Sequence, residues 1–259
     1  MAWHAMRQIL STLLLLNALV LGQATHAGTA LPLYEAQYRT KVSGIRITLT
    51  RSLTEEQGQY HLQQSGKAFL VKLLEQSDFT VDGNQIIGDR FSYQLSGVTK
   101  RRREVHYDPD AGVIRSLRKK TWTEHPWSAD VLDRLSQQEQ MRLLLIRAGT
   151  PPESMALKVV DGPNIKLKRF ELVEEATLDT LAGTLSTVHY RLLHDDPDER
   201  STDTWLAIDH SFLMVRTEHE ERGSTTVVEI SEAVIDGMPL SADTASKTET
   251  GPAAASGAR

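Results

Sequence analysis

SADVLDRLSQQEQMRLLLIRAGTPP, residues 128–152, is the stretch whose reading decides the fold. Ser128 is placed to cap a helix that begins at Ala129. Val131, Leu132, Leu135, Met141, Leu144 and Leu145 fall close to one helical face. Gly149 stops the helix and Pro151-Pro152 prevents its continuation. The spacing therefore predicts a helix over residues 129–148.

Outward from this helix, most of the chain reads with period two. Ile45, Ile47 and Leu49 alternate with Arg46, Thr48 and Thr50, the pattern of a half-buried strand. Val188, Tyr190 and Leu192 share one face later on. Glu55-Glu56-Gln57-Gly58, Asp82-Gly83-Asn84, Asp108-Pro109-Asp110-Ala111-Gly112 and Arg222-Gly223 are turn signals. Roughly ten short strands at this spacing predict an antiparallel sheet. Ala68–Glu75 fits either a short helical turn or a strand. One helix among so many strands has an economical place, with its apolar stripe packed on a sheet. The expected class is α+β, mostly antiparallel β: a curved sheet or half-barrel of about ten strands wrapped around the helix.

Residues 1–27 read as a secretory signal peptide. Arg7 precedes the apolar run Ile9–Leu21, and Thr25 and Ala27 occupy the small-residue slots before a cut expected after Ala27. A retained membrane anchor is the alternative, although the run is short for a span of about 20 residues. The expected organisation is a leader at 1–27, a single β-rich domain at 28–240 and a disordered tail at 241–259. The tail is Ala, Ser, Thr and Gly with almost no large apolar side chain. The chain is therefore expected to be exported, with no transmembrane segment in its mature part.

Composition narrows the function classes. The chain has no cysteine, which removes disulfides, a lipidated N-terminal Cys, thiol nucleophiles and thiolate metal sites. Its formal net charge of −5 argues against general nucleic-acid binding. No H-E-x-x-H or G-x-S-x-G pattern occurs, and His61, His106, His125, His189, His194, His210 and His219 are scattered. His194–Glu199 is rich in carboxylates but lacks the spacing of a calcium loop, and reads as a polar connection. No catalytic residue, metal ligand or cofactor is assigned.

The strongest charge feature is Lys100-Arg101-Arg102-Arg103, followed across the Asp108–Gly112 turn by Arg115, Arg118, Lys119 and Lys120. If the two strands pair, these groups lie together on a hairpin. Such a patch suits a lipid headgroup phosphate or a glycan carboxylate, which arginine binds with two parallel hydrogen bonds. A solvated hairpin with interleaved acids is the plainer alternative. Trp122, Trp127 and Trp205 are candidate walls of a ligand groove or ordinary packing aromatics.

Several local patterns together resemble the bacterial family known as domain of unknown function 3108. They are Tyr34-Glu35-Ala36-Gln37-Tyr38, Arg102–Asp108, Asp133–Gln138, Thr180–Thr187 with its Gly183, and Trp205-Leu206-Ala207-Ile208-Asp209. The resemblance covers about Leu33–Gly237. It implies a periplasmic protein of Gram-negative bacteria and supplies no activity or site residues. Met214 departs from the pattern, where proline is expected in the hairpin after the tryptophan strand. A sheet around a helix is also similar, at fold level, to LolA- and LolB-type lipoprotein carriers. The function expected is a non-enzymatic binding or carrier protein for an apolar or amphipathic envelope ligand, lipid or glycan. Its candidate contacts are Arg101, Arg102, Arg103, Arg115, Arg118, Lys119, Trp122 and Trp205. The alternatives are an adaptor that pairs with another envelope protein, and a hydrolase of envelope material.

Overall fold

The computed structural model describes residues 31–42, 44–98 and 100–240. The expected leader and the expected tail lie outside the described residues. The first eight strands are β1 (Tyr34–Val42), β2 (Ile45–Glu56), β3 (Gln59–Ala68), β4 (Val71–Asp82), β5 (Gln85–Ser96), β6 (Arg101–Asp108), β7 (Val113–Arg118) and β8 (Thr121–Pro126). After them come β9 (Val131–Leu132) and one helix, α1 (Ser136–Ala148). The rest are β10 (Ser154–Asp161), β11 (Asn164–Thr180), β12 (Gly183–Leu193), β13 (Arg200–Ala207), β14 (Leu213–Glu221), β15 (Ser224–Ile235) and β16 (Met238–Pro239).

All sixteen strands form one sheet, in the order β8 to β1, then β15 down to β9, with β16 on β15. Two meanders are thus joined where β1 pairs β15, Tyr34 opposite Ile235. Neighbours are antiparallel except β9, which runs parallel to β10. The sheet is open, because its edge strands β8 and β9 do not pair with each other. The expected half-barrel of about ten strands is corrected by this count. Among the strands not picked out, β11 lacks clean alternation: it has one buried residue, Phe170, and carries charge on both faces. Ala68–Glu75 turns out to be the end of β3, a tight turn at Phe69-Leu70 and the start of β4. No helix among the described residues is long and apolar enough to cross a membrane.

The helix starts seven residues later than its spacing predicts. Asp133 explains the difference. Its Oδ1 accepts from the amides of Leu135 (2.7 Å) and Ser136 (2.9 Å), while Ser136 Oγ accepts from the Asp133 amide (3.1 Å). This reciprocal cap satisfies amides that the first helical turn leaves open. Upstream, Val131 and Leu132 pair with β10 as β9, and the Ser128 hydroxyl turns to Asp130. Gly149 ends the helix as expected, with φ +72°. Burial pushes the Asp133 carboxyl up in pKa; its amide and hydroxyl donors, Ser77 Oγ among them at 2.7 Å, oppose that.

Nor is α1 held by an apolar stripe. Met141, Leu143 and Leu145 are buried, but so are Ser136, Gln137, Glu139, Gln140 and Arg142, while Leu144 is only half-buried. The polar set docks the helix. Glu139 Oε1 accepts from Tyr34 Oη (2.6 Å) and Arg51 Nη2 (3.1 Å), and its Oε2 from Arg142 Nη1 (2.8 Å). Arg51 Nε donates to Tyr34 Oη (2.8 Å), and Arg51 also bonds Gln138. Arg142 goes on to the carbonyls of Ser211 and Pro32, each at 2.9 Å. Gln140 closes the β4–β5 turn, accepting from the Ile86 amide (2.7 Å) and donating to the Asn84 carbonyl (2.7 Å).

Burial alone would raise the Glu139 pKa, but Arg142, Arg51 and the Tyr34 hydroxyl outweigh it and hold the carboxyl below the usual glutamate value. A carboxylate depressed in the fold stabilises the protein above its unfolded pKa and loses that contribution on acidification. Glu139→Gln should therefore cost about 3 kcal/mol at neutral pH, as loss of one partner of a buried ion pair does. Urea unfolding measured from pH 7 downward should show a loss of stability below about pH 4.3 in the wild type that is smaller in the variant.

Candidate functional site

A cleft lies between the N-terminal half of α1 and strands β10–β14. Its inner end is an apolar pocket of about 80 Å³ walled by Met141 of α1 and by Phe170, Leu192, Leu206 and Met214 of β11 to β14. Strand alternation puts these side chains on one face of the sheet. The bulge between Trp205 and Leu206 resets the β13–β14 register, so that Leu206 lies opposite Met214. The Met214 carbonyl accepts from Tyr38 Oη at 2.8 Å.

Gln137, Gln138, Lys168, Leu192 and Thr202 line both this pocket and a wider outer hollow of about 640 Å³. Five cations (Arg103, Arg134, Lys166, Lys168 and Arg200) face three carboxylates (Asp161, Asp195 and Asp196) around the hollow. Its balance is thus positive in a chain of formal net charge −5. Several of the cations are already engaged. Arg134 lies 3.1 Å from the buried Glu75 carboxylate and 5.3 Å from the Tyr93 ring centroid. Arg103 reaches Asp161 at 3.4 Å, and Arg200 reaches Glu221 at 2.6 Å. Lys168 has no carboxylate within ion-pair distance among the described residues.

Lys168 stands where the apolar pocket meets the charged hollow. Burial, helped by Arg134 and Lys166 and opposed by Asp161, lowers its pKa to about 8. An anion in the cleft would supply the missing countercharge. On the α1 wall, Gln137 Oε1 is buried without a hydrogen-bond partner, while its Nε2 donates to the Arg134 carbonyl at 2.9 Å. At the rim, Thr202 Oγ1 lies 2.9 Å from His194 Nε2 and 2.8 Å from His219 Nδ1. Burial, then Arg200 and His219, holds the His194 imidazole below the ordinary histidine value. His219 is 3.9 Å from Glu221, too far for a hydrogen bond, and Glu221 is tied to Arg200. The Thr202–His219 contact therefore lacks the orienting acid a hydrolytic triad needs. The cleft thus sets a cation, without an ion-pair partner among the described residues, between a small apolar pocket and a polar hollow.

The sequence-predicted residues scatter around this cleft. β6 and β7 do pair, Glu104 opposite Leu117, which brings the two basic clusters side by side. Arg103 lines the cleft; Arg118 reaches Asp161 at 2.9 Å, from the side. Arg101 is exposed, and Arg102 pairs with Glu104. Arg115 binds Glu124 at 2.9 Å on the hairpin surface, and Lys119 sits in the β7–β8 turn. Trp122, on edge strand β8, meets His106 edge-on at 5.2 Å. Trp205 stacks on His189 at 4.2 Å with Arg216 over its ring at 5.7 Å, outside the cleft. Sequence reading missed Lys168, Gln137 and Thr202. The one available signal was Lys166-Leu167-Lys168, an alternation that puts both lysines on one face of β11. The His194–Glu199 loop closes as an ordinary turn, Asp196 carbonyl to the Glu199 amide at 3.1 Å. No group of three acidic or histidine side chains among the described residues is placed to hold a metal ion.

Comparison with curated proteins gives no match. Among solved structures, the chain is similar to the crystal structure of a beta-barrel-like protein of domain of unknown function DUF1849 from Brucella abortus. The TM-score is 0.51 at 10% identity, covering 79% of this chain and 98% of that one. At that identity the likeness concerns fold alone. The model of the family described as protein of unknown function (DUF3108) matches residues 33–236, and the chain belongs to that family.

Proposed function

We propose that this protein is a non-enzymatic binding protein of the bacterial envelope, which takes a small anionic amphiphile in the cleft between α1 and β10–β14. The observation that carries the reading is Lys168, unpaired and half-buried at the junction of an apolar pocket and a net-positive hollow. The inner pocket, about 80 Å³, has room for only two to three water-sized groups. A long acyl chain does not fit there. A phosphorylated or carboxylated glycan or headgroup with a short alkyl portion suits both compartments. The outer hollow has the volume of an ordinary small-ligand site.

Butyl phosphate and inorganic phosphate are suitable probes for calorimetric titration. Butyl phosphate should bind more tightly, since only it reaches the apolar pocket. Affinity should fall as pH rises through about 8, where Lys168 loses its charge. Lys168→Gln should weaken binding on the order of tenfold, the scale of one charge-assisted hydrogen bond. Lys168→Arg should retain binding and lose the pH dependence. Equal affinity for the two probes, or a Lys168→Gln variant that binds as the wild type does, would overturn the reading.

Export is part of the same proposal, supported by the apolar run Ile9–Leu21 and the exit Thr25-His26-Ala27. N-terminal sequencing of protein from fractionated cells should return a chain that begins at Gly28 in the periplasmic fraction. Recovery of the intact N-terminus with the membranes would contradict it.

A further inference from the structure

Alternate turns of the first meander fall at opposite ends of the sheet, and the two ends differ in chemistry. At one end lie the turns between β1 and β2, β3 and β4, and β5 and β6. Their described tips expose Phe69 (83%), Val98 (78%) and Leu70 (60%), with Val42 and Ile45 beside them. Lys41, Arg46, Lys67, Lys72, Lys100 and Arg101 flank these tips, all exposed. None of the six has a carboxylate within ion-pair distance among the described residues. Segments 41–48, 65–74 and 94–101 contain no Asp or Glu at all. Lys119 and Lys120 in the β7–β8 turn extend the same edge. The other end carries Glu55, Glu56, Asp82, Asp108 and Asp110, and its turn segments 55–59, 82–85 and 108–113 contain no Lys or Arg.

The apolar tips form one edge. Gly97, at φ +115°, comes so close to the Leu70 carbonyl that an added Cβ would sit 1.7 Å from its oxygen. Only glycine lets the β5–β6 connection lie against the β3–β4 turn. Phe69 has φ +50°, and Lys119 and Lys120 have φ +51° and +69°. Glycine or asparagine is usual at such turn positions, and a bulky side chain there is strained. Large apolar and cationic side chains thus occupy apices where small ones would fold more easily.

We propose that this end of the sheet docks on an anionic lipid bilayer, with Phe69, Leu70 and Val98 entering the headgroup boundary and the lysines meeting lipid phosphates. Apolar apices ringed by unpaired cations match such a surface in both polarity and charge. The row spans roughly 30 Å across the strands of the meander, at the usual strand spacing. A fluid surface accepts separate projecting apices without shape complementarity, which a folded protein partner would require. The β12–β13 loop, which carries the exposed Asp195, Asp196, Asp198 and Glu199, falls at the same end of the strands in the second meander. Arg200 pairs with Glu221, Glu221 with Ser224, and Thr40 with Val228, so the β12–β13 loop shares the end of the Val42–Ile45 turn.

The test is co-sedimentation of the protein as isolated from the producing cell with two kinds of vesicle, phosphatidylcholine alone and phosphatidylcholine with phosphatidylglycerol. Binding is expected only to the anionic vesicles at about 0.02 M salt, and should be largely lost at about 0.5 M. Phe69→Ser with Leu70→Ser, and separately Lys67→Gln with Lys72→Gln and Lys100→Gln, should each lower partitioning about tenfold or more without changing the melting temperature. These variants should keep their affinity for butyl phosphate, so the cleft and the edge can fail separately. No binding to anionic vesicles, or binding that both variants retain, overturns the proposal. A wild-type dimer that Phe69→Ser with Leu70→Ser converts to monomer would assign the edge to self-association instead, and so overturn it too.

Discussion

The buried Glu139 carboxylate between Arg51 and Arg142 is the constraint on which the rest depends. α1 follows β9 in the chain, yet this network fastens it to Tyr34 of β1, Arg51 of β2 and the Pro32 carbonyl near the N-terminal end of the domain, and to the Ser211 carbonyl before β14. It therefore bridges the two meanders close to the seam where β1 pairs β15. An apolar helix of the same volume would have contributed as much stability or more. It could also have rotated or slid. A carboxylate shared by two guanidiniums and a phenol satisfies all its partners in one pose.

That pose builds the cleft. Gln137 and Gln138 form its α1 wall, and they sit directly beside the residues that pin the helix. Arg51 bonds Gln138 as well as Glu139, so one side chain fixes both the helix and the wall. The opposite wall comes from β11–β14, long strands whose bulge between Trp205 and Leu206 turns Leu206 inward. A cleft with α1 as one wall and β11–β14 as the other exists only while that pose holds.

The legible parts of the sequence were those governed by local rules. Alternation at Ile45–Leu49, the turns at Gly58, Gly83 and Gly112, and the Gly149 stop all obey short-range sterics and patterning. The helix start was misread because Val131 and Leu132 fit a helical face as well as a strand, and β9 is defined only by β10, a distant partner. Arg51 and Glu139 were invisible for a deeper reason. Period-two and period-3.6 readings assign charged side chains to solvent, and only a three-dimensional partner can overturn that assignment. Of the candidate site, Arg103 was legible as part of a basic run. Lys168 was not, since its character comes from Phe170, Leu192 and α1, which no sequence window brings together.

The same limit explains how a chain of modest net charge hides a polarised molecule. Net charge sums over turns that topology then sorts. In a meander, successive turns go to opposite ends, so a sequence that alternates acidic turns with basic, apolar ones yields one acidic end and one basic end. Here Glu55-Glu56, Asp82 and Asp108–Asp110 go one way, and Lys41–Arg46, Lys67–Lys72 and Lys100–Arg101 go the other. Read singly, each hairpin is an ordinary solvated turn. Read through the strand order, they give the first meander a direction. The β12–β13 loop at the cleft, His194 to Arg200, lies at the same end of the strands in the second meander and carries four carboxylates of its own.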